Sequence, residues 1–195
     1  LPSLYAKLKI MHHKKYKDGF SLFVSFWTLL RIFAVITIWT WDPFLGSLFN
    51  IFIDAIDGHI FEYFGLKRDT YEIYDKWLDL WFYFALALFT YQNLQGSLFY
   101  LPLIWLFILR LTGILLFAKF NKEWLLFAFP NLFEPFFLVV VGFPHWLTPQ
   151  GIPLVFWGIF VTKMLMEWWI HLAKLDLTSI ILRKPTRWNR KRKKK

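Results

Sequence analysis

Cysteine is absent from the 195-residue chain. That excludes a disulfide framework, a thiolate metal site and a cysteine nucleophile. Charge is scarce as well: 18% of the residues are Asp, Glu, Lys or Arg, where a soluble domain usually carries about a quarter. Lysine and arginine are missing altogether from three stretches, 42–47, 91–97 and 144–152. The first twenty residues hold lysines but no leader-like apolar core ahead of a small-residue cleavage site, so no secretory leader is expected there.

What fills the chain instead is apolar. Hydrophobic residues make up 57%, with 24 Phe and 12 Trp. They fall in long blocks, over 21–41, 44–58, 71–91, 97–118, 124–143 and 153–173. Most of these approach the ~20 residues that cross a bilayer core. The expected fold is therefore an all-α integral membrane protein built as a six-transmembrane-helix bundle over 21–175. A short N-terminal interfacial segment (1–20) precedes it and a basic cytoplasmic tail (176–195) follows. Residues 3–17 read either as an amphipathic surface helix, with Leu4, Leu8 and Met11 on one face, or as a solubilised terminus. The second block is short and must draw on residues beyond Gly58, or end where protein rather than lipid surrounds it. Asn131, between Pro130 and Pro135, marks a local break in the fifth.

The net charge of +10 is concentrated at the ends: nine basic residues lie in 183–195 and five in 7–17. Basic clusters beside membrane spans read as cytoplasmic flanks drawn to anionic lipid, so a membrane-lipid partner is expected and a nucleic acid is not. With the N-terminal segment on the cytoplasmic side, Lys67, Arg68, Lys119, Lys122, Lys174 and the tail all fall on that side too. The three stretches without Lys or Arg then face the other way. That asymmetry predicts a multi-pass topology with both termini cytoplasmic.

Four acids interrupt the apolar blocks. Asp54 and Asp57 are three apart and Asp75 and Asp79 four apart, so each pair shares one helix face. One pair ends an inward-running helix and the other begins an outward-running one, which sets both at similar depth near the cytoplasmic side. Converging carboxylates repel one another unless something positive sits among them. Hard divalent cations take oxygen ligands, and two ions sharing carboxylates clamp a phosphate during in-line displacement. Asp54, Asp57 and Asp75 read as metal ligands, with Asp79 as a further ligand or as the base for an incoming hydroxyl. The plainer alternative is four helix-end charges in headgroup water, paired with Lys67, Arg68 and Lys76.

Gly58 leaves room beside Asp57 for a ligand or a backbone turn. Arg31, Arg110, Glu134 and the Lys163–Glu167 pair are further charges inside the apolar blocks. Arg110 reaches about the depth of Asp79, so it reads either as an anion contact or as a structural partner of one of the aspartates.

The spacing resembles the motif of the CDP-alcohol phosphotransferase family. That motif has two Asp with two residues between them, then Gly, then Ala-Arg, an eight-residue spacer, a second Gly, and two further Asp with three residues between them. Asp54, Asp57 with Gly58, Asp75 and Asp79 fall in its register, and Thr28–Arg31 (TLLR) resembles the family's pattern in its first membrane helix. The family's Ala-Arg is Phe61-Glu62 here and its second Gly is Tyr71. The metal half of the motif is intact, and the half that lies against the nucleotide is altered.

The resemblance implies transfer of a phosphoryl-linked group from a CDP-alcohol donor to an acceptor alcohol, releasing CMP, as in phospholipid synthesis. It implies Mg2+ or Mn2+, two ions, on Asp54, Asp57, Asp75 and Asp79, with Asp79 also activating the acceptor. Gly58 would allow close approach of the nucleotide, and Phe61, Glu62 and Tyr71 would line the altered donor site. Arg110 is added as a substrate contact, and a homodimer is the family expectation. A related protein with another donor or no catalysis is the second reading, and a cation transporter the third.

Overall fold

The computed structural model describes residues 22–63, 68–120, 122, 124–148 and 150–168. The proposed interfacial segment, the basic tail, Lys67, His171 and the side chains of Glu62 and Arg68 lie outside the described residues. Every element among those described is helical. Helix α1 spans Leu22–Thr40, with a turn at Val35–Ile36. It is followed by α2 (Pro43–Tyr63), α3 (Arg68–Asn93) and α4 (Tyr100–Phe120). The chain then forms α5 (Trp124–Ala128) and α6 (Phe133–Gly142), a 3-10 turn at Pro144–Trp146, and α7 (Gly151–Glu167).

Each of the six apolar blocks carries helix among the described residues. The second runs past Gly58 to Tyr63, as its short apolar length leads one to expect, because nothing after Gly58 breaks the helix: "HIFEY" is a run of helix-tolerant residues. The fifth is two helices. Pro130 lacks an amide donor, and Asn131 and Leu132 are not helical. Asn131 begins the next turn: its Oδ1 accepts from the backbone amide of Glu134 at 3.4 Å, in the manner of an N-terminal cap.

Helix α1 and helix α4 are long and apolar enough to cross a membrane. Exposed side chains are strongly apolar. On α1 they form the stripe Leu22, Phe26, Leu29, Phe33 and Ile36, and on α3 the stripe Trp77, Trp81, Phe84 and Leu88. Both repeat every three or four residues, the spacing of one helix face. Several charged residues lie on the inside: Arg31, Asp57, Asp79, Arg110 and Glu167 are all buried.

The short α6 is central, contacting α2, α3, α4 and α7. Its Phe133, Phe136, Phe137 and Val140 pack with Leu80, Tyr83 and Leu86 of α3 and with Leu103 and Ile114 of α4. A second cluster joins α1 to α2 through Trp27, Ala34, Ile53 and Phe61. Where α1 meets α2 the backbones nearly touch: a Cβ on Gly46 would lie 2.5 Å from the Thr37 carbonyl oxygen. Asn50 fastens the crossing, its amide donating to the carbonyls of Ala34 (3.0 Å) and Gly46 (2.8 Å). This contact sets the register that brings Arg31 level with Asp54 and Asp57.

Candidate functional site

Helices α2 and α3 bring the four aspartates together, as their spacing predicts. One oxygen each from Asp54, Asp57 and Asp75 lie within 4.8 Å of one another. Asp57 has no exposed side-chain surface, Asp79 and Asp75 have 9% and 14%, and Asp54 has 41%. The quartet is therefore a nearly closed pocket of carboxylates with Asp54 at its open corner.

The positive charge at its centre comes from α1. Arg31 donates through Nη1 to Asp57 and through Nη2 to Asp54 at 2.6 Å, and Nη2 stands 3.4 Å from Asp79. Nη1 lies 3.6 Å from Asp75. One planar guanidinium thus reaches all four acids, a use of its fork that an ammonium could not match. Lys76, on α3 itself, completes the pairing by donating to Asp75 at 2.7 Å and to Asp79 at 2.8 Å.

Tyr71 adds a neutral donor. Its hydroxyl donates to Asp57 and lies 3.3 Å from Asp75. The same hydroxyl fills the space beside Gly58, where an added Cβ would meet it at 3.0 Å. Phe61 is fully buried under the phenol, its ring 5.7 Å from that of Tyr71 and 5.5 Å from that of Tyr74. Tyr74 in turn hydrogen-bonds Thr28 of α1. The aromatic residues at 61 and 71 therefore pack as a wall that closes the pocket on the Gly58 side.

Arg110 takes a different place from the quartet. It is 3% exposed, donates to the carbonyl of Phe129 at 3.1 Å and lies over the Tyr83 ring at 5.9 Å. Its carbonyl partner is one that the break between α5 and α6 releases from helical bonding. Around that break sits a second polar group: Asn131 donates to Tyr83 (2.9 Å) and to Glu134 (2.9 Å), and Glu167 accepts from the Asn131 amide (3.5 Å). Asp79 lies within electrostatic reach of Arg110 and links the two groups.

Two residues of the site carry more than their sequence signal promised. Arg31 stands inside an apolar helix, and an intramembrane arginine demands a partner, yet the sequence does not say which helix supplies it. Lys76 reads as a helix-end counter-charge, and its bridging of Asp75 and Asp79 depends on one rotamer. Lys67 and Arg68 lie outside the described side chains, so their share in the pairing is not part of this picture.

As a donor set, three clustered carboxylates fit a hard divalent cation such as Mg2+ or Mn2+, which binds through oxygen. Among the described residues, Arg31 and Lys76 are the cations paired with the four carboxylates. Compared with protein-family models, with curated proteins and with solved structures, the chain has no match.

Proposed function

We propose that this chain is a multi-pass membrane protein whose aspartate quartet is a divalent-cation site for transfer of a phosphoryl-linked group. By resemblance of motif the donor is a CDP-alcohol, the acceptor a second alcohol, and CMP leaves. The observation that carries the reading is the convergence of four carboxylates from two helices, three of which place one oxygen each within 4.8 Å of one another.

The membrane setting is supported by the inverted polarity, with apolar stripes outside and charges inside. In water, exposed apolar surface of this extent marks a contact surface. Helices of 21 residues, such as α2 and α4, span about 31 Å, the thickness of a bilayer core. In this reading α1, α2, α3, α4, the α5–α6 pair and α7 make six crossings. The end of the bundle nearest the quartet then faces the cytoplasm, since Lys119 and Lys122 lie at that end and the opposite connections have no Lys or Arg. The non-helical backbone at Pro130–Leu132 is buried in protein, where a bilayer tolerates it.

Within the site, Asp54, Asp57 and Asp75 would hold the ion, and Asp54 is the most exposed of the three. A bound divalent cation supplies Lewis-acid stabilisation of phosphate oxygens. Asp79 accepts the proton of the acceptor hydroxyl through Oδ1, which Arg31 holds only at 3.4 Å. The closed packing excludes bulk water, which strengthens every charge interaction inside.

A second reading is favoured by the aromatic wall. The phenol of Tyr71 occupies the space that Gly58 opens, and Phe61 backs it. Both argue for a donor other than a cytidine nucleotide seated against Gly58. The test is CMP release from CDP-diacylglycerol by the protein in nanodiscs, across a panel of acceptor alcohols. The first reading predicts Mg2+- or Mn2+-dependent release that is lost in Asp57→Asn and Asp75→Asn. Metal binding without release or nucleotide binding transfers support to the second reading, and absence of metal binding contradicts both.

A further inference from the structure

Helix α1 is interrupted at Val35–Ile36, although no proline or glycine lies between Leu22 and Thr40. The amide of Ile36 donates to the Phe33 carbonyl at 3.0 Å and that of Ile38 to the Val35 carbonyl at 3.1 Å, three residues back instead of four. In a continuous helix the same amides would serve Ile32 and Ala34. Both of those carbonyls are held from other helices. Trp81 of α3 donates its indole Nε1–H to Ile32 at 3.1 Å, and Asn50 of α2 donates its side-chain amide to Ala34 at 3.0 Å.

A sharp break without proline or glycine needs something inserted into the backbone ladder. Thr37 contributes, since its hydroxyl donates to the Ala34 carbonyl at 2.6 Å. A threonine back-bond alone does not break this helix: Thr28 donates to the Val24 carbonyl at 2.6 Å, and α1 runs through it uninterrupted. What sets Val35–Ile36 apart is the pair of donors from α2 and α3. We infer that α1 is a two-state hinge, held broken by Trp81 and Asn50 and able to close into a continuous helix when they let go. Closure orphans neither carbonyl, because the Ile36 and Ile38 amides take up Ile32 and Ala34 again.

The hinge stands between two anchors. On one side Arg31 reaches the aspartates of α2 and α3, and on the other Thr37 meets Gly46 in the close crossing. Closing the helix swings one arm of α1 relative to the other, so both anchors cannot keep their present places. The hinge thus couples the α1–α2 crossing to the Arg31 ion pairs. It stands whether or not the aspartates hold a metal.

The chain has no cysteine, so spin labels on Leu22→Cys and Thr40→Cys, both exposed, report the two arms alone. Pulsed electron–electron double resonance on the full chain in nanodiscs reads the distance between them. One distance is expected in this parent pair. Trp81→Phe, which keeps a ring and removes the N–H, should add a second, and Trp81→Phe with Asn50→Leu should enlarge it. Ile36→Pro is the lock. Ile36 has a φ of −61°, which proline accepts, but a proline there has no amide to offer Ile32 and cannot complete the helix. Added to Trp81→Phe, it should restore the single parent distance. An unchanged single distance in Trp81→Phe and in the double variant would overturn the hinge, and so would a second distance that persists with Ile36→Pro. If the double variant does not fold, Trp81→Phe decides alone.

Discussion

The guanidinium of Arg31 lies among four carboxylates supplied by two other helices, with 6% of its side chain exposed. Removing it would leave those acids facing one another with Lys76 as their remaining ion-pair partner among the described residues. Breaking a buried ion pair from one side is destabilising by about 3–5 kcal/mol, and Arg31→Gln is expected to lie in that range by thermal unfolding in detergent. Arg31→Lys should lose less, because charge is kept while the two-armed reach to Asp54 and Asp57 is not. A Gln variant as stable as wild type would show that the acids are neutral in the absence of a ligand. Much of this was legible beforehand: the i, i+3 and i, i+4 spacing of the acids predicts their convergence. Their partner was not, because Arg31 is 23 residues before Asp54 and which faces of α1 and α2 meet depends on packing. The hydroxyl of Tyr71 was hidden for the same reason, since a residue number does not tell whether a phenol points at Asp57 or away.

At the scale of elements, the α1–α2 crossing decides whether Arg31 reaches its acids. That crossing depends on a glycine with no room for a methyl group. In Gly46→Ala the new Cβ would stand 2.5 Å from the Thr37 carbonyl, a backbone atom that cannot swing aside. Overpacking of this kind costs about 1–3 kcal/mol, and the displaced helix should also loosen the Asn50 bond to Ala34 across the crossing. Gly158→Ala on α7 is the matched control, since nothing lies within 4 Å of the added atom. It should be neutral or gain up to about 1 kcal/mol from helix propensity. Equal thermal stability of the two variants would contradict the close crossing. The helices themselves were readable from apolar block length, and the break at Pro130–Asn131 from its proline. The extension of α2 beyond Gly58 follows from the shortness of its apolar block, but its end at Tyr63 does not, because after Gly58 hydrophobicity falls off while helical hydrogen bonding continues.

For the whole molecule, an apolar exterior and a charged interior have to be explained together. A bilayer accounts for the exterior through the stripes on α1 and α3. It also makes the interior costly, because ionisable groups at membrane depth persist where they are paired or functional. Arg31 and Lys76 pair with the quartet, and in the proposed reading a divalent cation joins them. The central claim is thus that a divalent cation belongs to the folded state. The direct measurement is thermal unfolding in nanodiscs against Mn2+ concentration, for wild type and Asp57→Asn. A ligand that binds only the folded state adds about 2.7 kcal/mol at a free concentration about a hundred times its dissociation constant. Wild type should therefore unfold at progressively higher temperature as Mn2+ rises, and Asp57→Asn should not respond. A wild-type transition that stays fixed at every Mn2+ concentration would mean that Arg31 and Lys76 are all the positive charge the quartet takes, and the account would fail.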